Sequence, residues 1–387
     1  MDKVDLKSHL LPVVEIQNRN SSMDQVFRWK RSMRMKLFYS RRNFKRILLG
    51  TLFIILAIFF FVFIIVPVIF RYSYGLQRSL LFLNFVNNGT DLKTPWKQGL
   101  IGSRNLYIDV DEGVKLGVWH ILPSSKLPGL VVDSGILNRG TTDELYNKYL
   151  GEGQPIFIYH HGNAGNRASK HRLELYKVLQ KNNYHVVAFD YRSYGDSSAV
   201  DPDEAGVVSD AKAVYKWARA LAPNSNIFLW GHSLGTGVAS HSIHDLEAEG
   251  NKVTGLILEA PFTNLQEEIR DYPMSRIFKP LPWFDFFFVD PTYENGLRFQ
   301  SDVYLLNVTA PIMILHAEDD KVVPVHQGMN LYQRVKLARG ENGTLIKFVK
   351  FGKSQGYGHD HISRDKGLSN TISEFVAEAK GLNKKLD

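Results

Sequence analysis

The segment that decides the fold reads Ile227-Phe228-Leu229-Trp230-Gly231-His232-Ser233-Leu234-Gly235-Thr236-Gly237-Val238-Ala239. Its first four residues are apolar and predict a strand, and the small residues after Gly235 predict a helix. Between them lies a G-x-S-x-G pattern, which holds a serine on a tight turn between a strand and a helix. The turn strains the backbone of the serine, and the two glycines leave room for it. We therefore expect Ser233 to be a nucleophile.

A second G-x-S-x-G occurs at Gly352-Lys353-Ser354-Gln355-Gly356. It is followed by Tyr357-Gly358-His359 and by no helical stretch, so it lacks the strand–turn–helix context. We interpret Ser354 as a coincidence of composition.

Short apolar runs alternate with longer helical stretches from Pro155 onward. The predicted strands are Ile156–Tyr159, His185–Phe189, Ile227–Trp230, Gly255–Leu258, Ile312–Leu315 and Leu345–Phe351. The predicted helices cover residues 167–182, 203–222, 234–248, 324–338 and 364–380. This alternation predicts a mainly parallel sheet flanked by helices. A hairpin of Asn105–Val110 and Lys115–Ile121 precedes it and would add antiparallel strands at one edge.

A nucleophilic serine needs a base, and the base needs a carboxylate that orients it. In an α/β-hydrolase fold the acid and then the histidine follow the serine, each on a loop after a later strand. The loop after Ile312–Leu315 contains Glu318, Asp319 and Asp320. We choose Asp320, because it directly precedes the point where the chain re-enters a helix. Asp319, or a merely solvated acidic turn, remains an alternative.

Three histidines follow Asp320: His326, His359 and His361. His359 lies in a glycine-rich loop after the last strand, next to Gly358, as a base in this fold should. We therefore choose His359 as the base. We expect His326 to be a structural residue on the next helix and His361 to be a surface or supporting residue.

An oxyanion hole requires two backbone N–H groups that point at the developing charge. We expect them from Leu234, which follows the nucleophile, and from Asn163 in the loop after Ile156–Tyr159. The alternative, that His160 and His161 in this loop bind a metal, is disfavoured because no further ligands have suitable spacing. The sequence has no Walker loop and no G-x-G-x-x-G. We expect neither a metal nor a cofactor.

Residues 48–70 read LLGTLFIILAIFFFVFIIVPVIF and contain no charge. At about 1.5 Å per residue they reach about 34 Å, enough to cross a hydrocarbon layer of about 30 Å. A cleaved signal peptide would be shorter and nearer the N-terminus. We predict an uncleaved transmembrane signal anchor.

Charge indicates how this anchor is oriented. The chain has 47 Lys and Arg against 39 Asp and Glu, and the whole net charge of +8 lies in residues 1–47. Positive charge favours the cytosolic side. We expect a cytosolic tail and a single-pass type II protein whose catalytic domain faces the lumen or the outside. The neutral body gives no support to a nucleic-acid partner.

Three N-x-[ST] sequons, at Asn88, Asn307 and Asn342, lie on the far side of the anchor and permit glycosylation there. The chain has no cysteine, which excludes disulfides and thiolate nucleophiles.

The predicted organisation has five parts. They are a cytosolic basic tail (1–47), a transmembrane anchor (48–70), a juxtamembrane linker (71–104), a catalytic domain (105–380) and a short tail (381–387). Within the linker, residues 71–86 could lie on the membrane surface or pack on the catalytic domain. We expect an insertion near 122–154 and a cap near 262–305. The cap is rich in aromatic residues, and Phe284, Phe287 and Phe288 are candidates for a wall that binds an acyl chain. Plain packing within the cap is the alternative.

With these residues in hand, the chain resembles the membrane-anchored α/β-hydrolase-domain lipases described as lysophosphatidylserine lipase and monoacylglycerol lipase. The matching motifs are His161-Gly162-Asn163-Ala164-Gly165, Phe189-Asp190-Tyr191-Arg192, Trp230–Ala239, Leu258-Glu259-Ala260-Pro261-Phe262-Thr263-Asn264, Leu315–Asp320 and Gly356–His359. The chain departs from the family at Ser193, where Gly is usual, and at Ala260, where Ser is common.

The resemblance implies an enzyme of the endoplasmic reticulum membrane with a lumenal active site. It implies cleavage of acyl esters of lysophosphatidylserine, oxidised phosphatidylserine and monoacylglycerols, with Ser233, Asp320 and His359 as the triad. A membrane-anchored thioesterase or peptidase with the same triad, or a non-catalytic scaffold, remains as an alternative. We expect the partners to be a lipid substrate and the membrane.

Overall fold

A computed structural model of the protein describes residues 13–86, 89–110, 113–128, 143–341 and 343–386. The chain divides into two compact units, residues 1–67 and residues 68–387. The sequons at Asn88 and Asn342, and the middle of the predicted insertion, lie outside the described residues.

The first unit is helical. Helix α1 covers Val13–Phe60, and a π-helical turn at Phe61–Ile65 separates it from α2, Val66–Tyr72. The N–H of Val66 donates to the carbonyl of Phe61, five residues earlier. The next residue, Pro67, has no N–H to continue the regular ladder, which accounts for the widened turn.

The apolar run lies on this helical segment. The 18-residue window with the highest mean hydropathy, 3.4, is only 6% buried, whereas a core helix would be mostly buried. A single N-terminal helix of this length and composition is consistent with a membrane anchor. The predicted tail is helical from Val13 onward, so its basic residues from Arg19 to Arg46 and the apolar run belong to consecutive helical turns.

The second unit is built on one eight-stranded sheet. Its strands are β1 Ser103–Asp109, β2 Lys115–Ile121, β3 Ile156–His160, β4 His185–Phe189, β5 Ile227–His232, β6 Gly255–Glu259, β7 Ile312–Ala317 and β8 Ile346–Phe351. The order is β1-β2-β4-β3-β5-β6-β7-β8. Only the β1–β2 and β2–β4 pairs are antiparallel. The predicted parallel sheet and its edge hairpin are confirmed.

Helices cover both faces of this sheet. Those of the second unit are α3 Tyr74–Leu81, α4 Asp143–Leu150, α5 Lys170–Lys181, α6 Glu204–Leu221, α7 Leu234–Ala248, α8 Leu265–Asp271, α9 Asp290–Glu294, α10 Ser301–Tyr304, α11 Val325–Arg339 and α12 Leu368–Leu386. The predicted helices match α5, α6, α7, α11 and α12 to within a few residues at most ends. The exception is the C-terminal end of α12.

Two apolar cores lie on the two faces. Successive residues of β5, Leu229 and Trp230, belong to different cores because side chains alternate along a strand. Both are fully buried, and the whole of β5 is buried. A central parallel strand that is covered on both faces reads as a continuous apolar run, which explains the Ile227–Trp230 sequence.

The segment 71–104 differs from the linker that the sequence predicts. Phe82, Leu92 and Leu100 are buried in the cores of the second unit. The N–H of Leu83 bonds to the loop after β3, and Leu83 forms a parallel bridge with Ala164. Polar and glycine-rich stretches suggested a linker, but the apolar residues between them have their partners far along the chain.

The predicted insertion and cap consist of short elements. Tyr146 of α4 packs with Leu122, and Arg104 binds Asp143 at 2.8 Å. The region 262–305 contains α8, α9 and α10, a 3₁₀ turn at Pro273–Ile277 and a π-helical turn at Asp285–Val289.

Candidate active site

Ser233 lies on the turn between β5 and α7. Its backbone has φ 54° and ψ −122°, a region that L-residues rarely adopt. Its N–H donates to the carbonyl of Glu259 at 3.0 Å, and its own carbonyl accepts from the N–H of Thr236 at 2.8 Å. Strained backbone of this kind is held by surrounding contacts and clusters at active sites. The turn has the geometry that the sequence predicted for a nucleophile.

The two glycines of the motif allow α7 to start against the sheet. A Cβ on Gly231 would overlap the carbonyl of Gly235 and lie 2.7 Å from the Cα of Thr236. A Cβ on Gly235 would overlap the carbonyl of His160 in β3. Neither neighbour is a flexible side chain that could move away, so larger residues at these positions would displace the turn that carries Ser233.

Asp320 and His359 meet at the same edge of the sheet. Asp320 follows β7 and His359 follows β8, and Oδ2 of Asp320 lies 2.7 Å from Nδ1 of His359. The other oxygen, Oδ1, accepts from the N–H groups of Val322 at 2.8 Å and Val323 at 3.0 Å. The carboxylate is therefore fixed by its own loop while it orients the imidazole.

The alternative acid, Asp319, has a different contact. Its Oδ1 accepts from the N–H of Gly358 at 3.1 Å. It therefore holds the loop that carries His359 and does not orient the imidazole ring itself.

The charge of Asp320 decides the protonation of this pair. Burial lowers the pKa of His359, but the hydrogen bond and the charge of Asp320 raise it, and the resulting pKa lies above the ordinary histidine value. For Asp320, burial raises the pKa, but the bonds to His316 and His359 outweigh burial, so that its pKa lies well below the usual carboxyl range. Asp320 is thus ionised wherever His359 titrates.

The position of His359 is coupled to the turn that carries the serine. Nε2 of His232, the residue before Ser233, lies 3.0 Å from the carbonyl of His359. The two imidazole rings are 5.0 Å apart. The three parts of the sequence that hold Ser233, Asp320 and His359 are therefore adjacent in space.

The other two C-terminal histidines lie elsewhere. Nε2 of His326, on α11, lies 2.7 Å from Oδ2 of Asp271. His361 is half-buried and precedes the 3₁₀ turn Ile362–Arg364, and its backbone N–H donates to the carbonyl of Tyr357. Ser354 is exposed on a 3₁₀ turn that follows β8, away from any strand–turn–helix.

The loop after β3 lies against the serine. A Cβ on Gly162 would be 3.3 Å from the Cβ of Ser233. Asn163, the candidate for one oxyanion N–H, is the next residue. Leu234, the candidate for the other, is the first residue of α7, where a backbone N–H has no partner within the helix. β3 and β5 are neighbours in the sheet, which brings the two candidates together.

Residues that the sequence did not single out hold this loop in shape. The guanidinium of Arg172, on α5, donates to the carbonyls of Asn166 at 2.6 Å and Ala164 at 2.7 Å. The carbonyl of Asn163 accepts from the N–H of Leu83 at 2.9 Å and the hydroxyl of Tyr194 at 2.9 Å. Arg172 lies only six and eight residues from the carbonyls that it bonds, but Tyr194 lies 31 residues from Asn163 and Leu83 is still more distant in sequence. The local sequence carries no signal for the contacts of Leu83 and Tyr194.

His160 and His161, weighed as metal ligands, are both buried and have backbone partners. Nδ1 of His160 lies 3.2 Å from the carbonyl of Trp230, and Nδ1 of His161 lies 2.7 Å from that of Gly162. Burial lowers the pKa of His160 to about 4, so it is neutral at physiological pH.

Among the described residues, one group could hold an ion: His171, His232 and Asp360, whose ligand atoms lie within 4.8 Å of one another. The spacing of these three residues in the sequence does not indicate such a group. Nε2 of His232 already bonds to the carbonyl of His359 and would have to give up that bond to bind an ion there.

Glu259 is a buried carboxyl group beside Ser233. Its Oε2 accepts from Nε1 of Trp230 at 2.9 Å, and its carbonyl accepts from the N–H of Ser233. Burial raises its pKa to about 7, so the carboxyl group is largely neutral in mildly acid solution. In the sequence, Glu259 was noted only as part of a family motif.

The aromatic residues of the cap pack on one another. The ring of Phe288 lies 5.6 Å from Phe284, 4.9 Å from Phe278 and 5.2 Å from Phe70. Phe287 lies 4.9 Å from Phe286. For Phe284 and Phe288 this packing favours the alternative of a structural role within the cap.

Asn307 is exposed in a bend, a position that a glycan could occupy. The hydroxyl of Thr309, the third residue of the sequon, is bonded to Glu247 at 2.9 Å.

Sequence comparison identifies relatives over most of the chain. Residues 154–301 match the family described as serine aminopeptidase, S33. The protein named lysophosphatidylserine lipase ABHD12 from Danio rerio is 40% identical over 317 residues, which cover 81% of each chain. The rat protein of that name is 39% identical over 82% of this chain and 78% of its own. Human protein ABHD12B is 36% identical over 77% of this chain and 80% of its own.

Structural comparison supports the fold. An α/β-hydrolase from Vibrio vulnificus has a TM-score of 0.57 at 16% identity and covers 79% of this chain and 94% of its own. The esterase Pf2001 from Pyrococcus furiosus has a TM-score of 0.52 at 20% identity, over 73% of this chain and 92% of its own. At this identity the likeness concerns the fold alone, which confirms the α/β-hydrolase architecture that the sequence predicted.

Proposed function

Because the chain belongs to the family of the lysophosphatidylserine lipases ABHD12, we propose that this serine hydrolase cleaves the acyl esters of lysophospholipids and monoacylglycerols. Lysophosphatidylserine and oxidised phosphatidylserine are the expected phospholipid substrates. The observation that carries the proposal is the 2.7 Å contact of Asp320 with His359, on the loop that His232 ties to the Ser233 turn.

The reaction follows from the roles of these residues. Nε2 of neutral His359 takes the proton of the Ser233 hydroxyl as the oxygen attacks the acyl carbonyl carbon. Asp320 accepts a hydrogen bond from Nδ1–H and stabilises the imidazolium that forms. The N–H groups of Asn163 and Leu234 donate to the oxyanion.

The tetrahedral intermediate then collapses. The ester C–O bond breaks, and His359 returns its proton to the departing alcohol, which is the glycerol part of the lipid. Water, activated by the same imidazole, attacks the acyl-enzyme and releases the fatty acid, and Ser233 recovers its proton. Ser233 supplies the proton of the first step and water that of the second, and His359 transfers both; we propose no metal or cofactor.

The test uses the full-length protein in detergent or nanodiscs. Ser233→Ala should abolish both labelling by a fluorophosphonate probe and release of fatty acid from lysophosphatidylserine. The matched control, Ser354→Ala, removes an equally placed serine of the second G-x-S-x-G and should keep both activities. Labelling that survives in Ser233→Ala and disappears in Ser354→Ala would overturn the proposal.

A thioesterase or peptidase with the same triad is the second candidate. The match to the family described as serine aminopeptidase, S33, over residues 154–301 favours including it in the test. A panel of acyl thioesters and aminoacyl amides, measured beside lysophosphatidylserine, separates the candidates. Turnover of amides or thioesters well above that of the lysolipid would support this second function.

We also propose that the protein is a single-pass type II protein of the endoplasmic reticulum membrane with a lumenal catalytic domain. The basic excess in residues 1–47 and the neutral body support this orientation. In sealed microsomes, protease should spare the catalytic domain. An endoglycosidase should shift the gel mobility of the wild type, and replacement of Asn88, Asn307 and Asn342 by Gln should abolish that shift. A digested domain together with unglycosylated sequons would reverse the assignment.

A further inference from the structure

The end of the apolar run is packed against the cap. Phe70 is the last residue of that run, and its ring lies 5.2 Å from the ring of Phe288. The guanidinium of the next residue, Arg71, lies 3.8 Å from the centre of the Phe286 ring and donates to the Phe286 carbonyl. The part of the cap around Phe286 and Phe288 therefore lies where the chain leaves its apolar segment.

A buried glutamine fixes this arrangement. Gln77 is only 2% exposed. Its Nε2 donates to the carbonyls of Phe70 at 2.8 Å and Arg71 at 3.1 Å, while its Oε1 accepts from Nδ2 of Asn295 at 2.8 Å. Buried polar contacts of this kind are costly to break. The cap thus has a defined position relative to Phe70.

The adjoining cap segment, Tyr272–Lys279, presents apolar side chains to the outside. It reads YPMSRIFK and contains two cations and no acid, although Lys279 pairs with the preceding Asp271 at 3.5 Å. Met274 is 73% exposed and Ile277 is 62% exposed. Phe278, the neighbour of Ile277, lies 4.9 Å from the same Phe288 ring that contacts Phe70. The ring of Phe288 therefore contacts both Phe278, the neighbour of Ile277, and Phe70, the end of the apolar run.

The composition of this segment indicates which partner covers it. Large apolar side chains interspersed with Lys or Arg are typical of segments that lie in the boundary between lipid headgroups and acyl chains. Basic side chains near a membrane surface are attracted to anionic lipids. The apolar run ends at Phe70, so the surface of a bilayer that this run crosses would lie next to this segment.

We propose that the segment Tyr272–Lys279, together with Phe286, is a membrane-contacting surface. Met274, Ile277 and Phe286 enter the headgroup–acyl boundary, while Arg276 faces the headgroups. This surface holds the catalytic domain against the membrane. The consequence for catalysis rests on the proposed function: hydrolysis is directed to lipids in the bilayer rather than to dispersed monomers.

The first experiment measures contact with lipid independently of activity. The chain has no cysteine, so Ile277→Cys creates a single thiol that can carry an environment-sensitive fluorophore. The matched control is Leu337→Cys on α11, where Leu337 is 85% exposed on a helix remote in sequence from the cap. Both labelled full-length proteins are reconstituted in phosphatidylcholine nanodiscs with or without phosphatidylserine and with lipids that carry a nitroxide quencher near the headgroup.

The fluorophore at position 277 should be quenched and the one at 337 should not. Quenching at neither position would overturn the proposal. Loss of quenching at 277 together with crosslinking between copies would also overturn it, because the segment would then be an interface between proteins.

The second experiment measures the consequence for hydrolysis. Ile277→Glu and Met274→Glu should lower hydrolysis of a bilayer-embedded lysolipid about tenfold, the effect expected when one large apolar side chain no longer leaves water. Hydrolysis of a water-soluble short-chain ester should be unchanged, as should both activities of the control Leu337→Glu. Equal activity of wild type and Ile277→Glu on the bilayer substrate would contradict the proposal. If the wild type hydrolyses no lysolipid while the fluorophore at position 277 is quenched, only the proposed function is refuted.

Discussion

The backbone N–H of Leu83 donates to the carbonyl of Asn163 at 2.9 Å. Leu83 lies 13 residues after Phe70, the end of the apolar run, and Asn163 is the candidate for one oxyanion N–H. The bond is accompanied by a second one, from the N–H of Gly165 to the carbonyl of Val86 at 3.2 Å. The segment next to the anchor thus pairs like a short strand with the loop that faces Ser233.

This pairing predicts that Leu83 acts on catalysis through its backbone. Leu83→Pro removes the N–H, whereas Leu83→Ala keeps it. We expect Leu83→Pro to lower kcat by about tenfold, less than the 10²–10³-fold that follows direct loss of an oxyanion donor, because the loop keeps its other contacts. KM should change little. The kinetics of both variants on a soluble ester test this, and equal kcat values for the two variants would contradict the role of the N–H.

The backbone conformation of Ser193 predicts the order of stability of its glycine and alanine variants. Its φ is 66°, and its hydroxyl accepts from Nδ2 of Asn84 at 2.8 Å. Ser193→Gly removes the hydroxyl but relieves the left-handed backbone, which costs a residue with a Cβ about 1–2 kcal/mol. Ser193→Ala removes the hydroxyl and keeps the strain. Chemical denaturation should therefore find Ser193→Ala less stable than Ser193→Gly, and the reverse order would contradict this interpretation.

Asp320→Asn should change the pH dependence of kcat/KM. In the wild type, activity falls as the pH drops through the pKa of His359, which lies above 6.5 mainly because the bond and charge of Asp320 overcome burial. The amide has no charge, so the lowering effect of burial dominates and the acid midpoint moves to lower pH. The maximal rate should fall by about 10⁴-fold, because the amide can hold the wrong tautomer of the imidazole.

The control for this variant is Asp319→Asn, at the other acid that the sequence allowed. The amide oxygen can still accept from the N–H of Gly358, so the midpoint should stay where it is in the wild type. A midpoint that moves in Asp319→Asn and not in Asp320→Asn would exchange the roles of the two residues.

Glu259→Gln should flatten the dependence of stability on pH. The pKa of Glu259 is raised by burial from its ordinary 4.5 to about 7. The folded state therefore binds a proton that the unfolded state releases, and the stabilisation is complete below pH 4.5 and is lost as the pH rises through 7. The amide keeps an oxygen for Trp230 and does not titrate. The free energy of unfolding of the wild type should fall relative to that of Glu259→Gln by on the order of 3 kcal/mol over this range.

Urea denaturation at several pH values measures this difference. The exposed Glu318→Gln serves as the control and should follow the wild type. Parallel pH profiles for the wild type and Glu259→Gln would show that Glu259 is not protonated by burial.

The sequence predicted the sheet because each strand carries its own local signal. Ile227–Trp230 is a short apolar run before a turn, and such runs locate the strands without any knowledge of their neighbours. The segment 71–104 has no such unambiguous signal. Its short apolar run Leu80–Leu83 suits a membrane surface as well as a protein core. Only the distant core surface that covers Phe82 and Leu100 shows that these residues belong to the folded body.

In the candidate site too, some residues could be chosen from the local sequence and others only from the fold. A G-x-S-x-G between a strand and a helix is a local pattern, so residues 227–239 were enough to choose Ser233 over Ser354. The choice between Asp319 and Asp320 depends on which carboxylate points at a histidine 39 or 40 residues away. Adjacent side chains leave a loop in different directions, and the direction is set by the bonds that Val322 and Val323 make with Asp320.

By itself, then, the amino-acid sequence determined the apolar segment, the parallel sheet, the serine turn and the order of the chemistry along the chain, because each depends on residues close together in the sequence. Only the tertiary structure decided that Asp320 rather than Asp319 contacts His359. Only the tertiary structure placed Leu83 and Arg172 against the loop after β3, which contains Asn163, and Phe70 against the cap. These contacts join segments that are distant in sequence, and the packing of the sheet and its helices determines which of them meet.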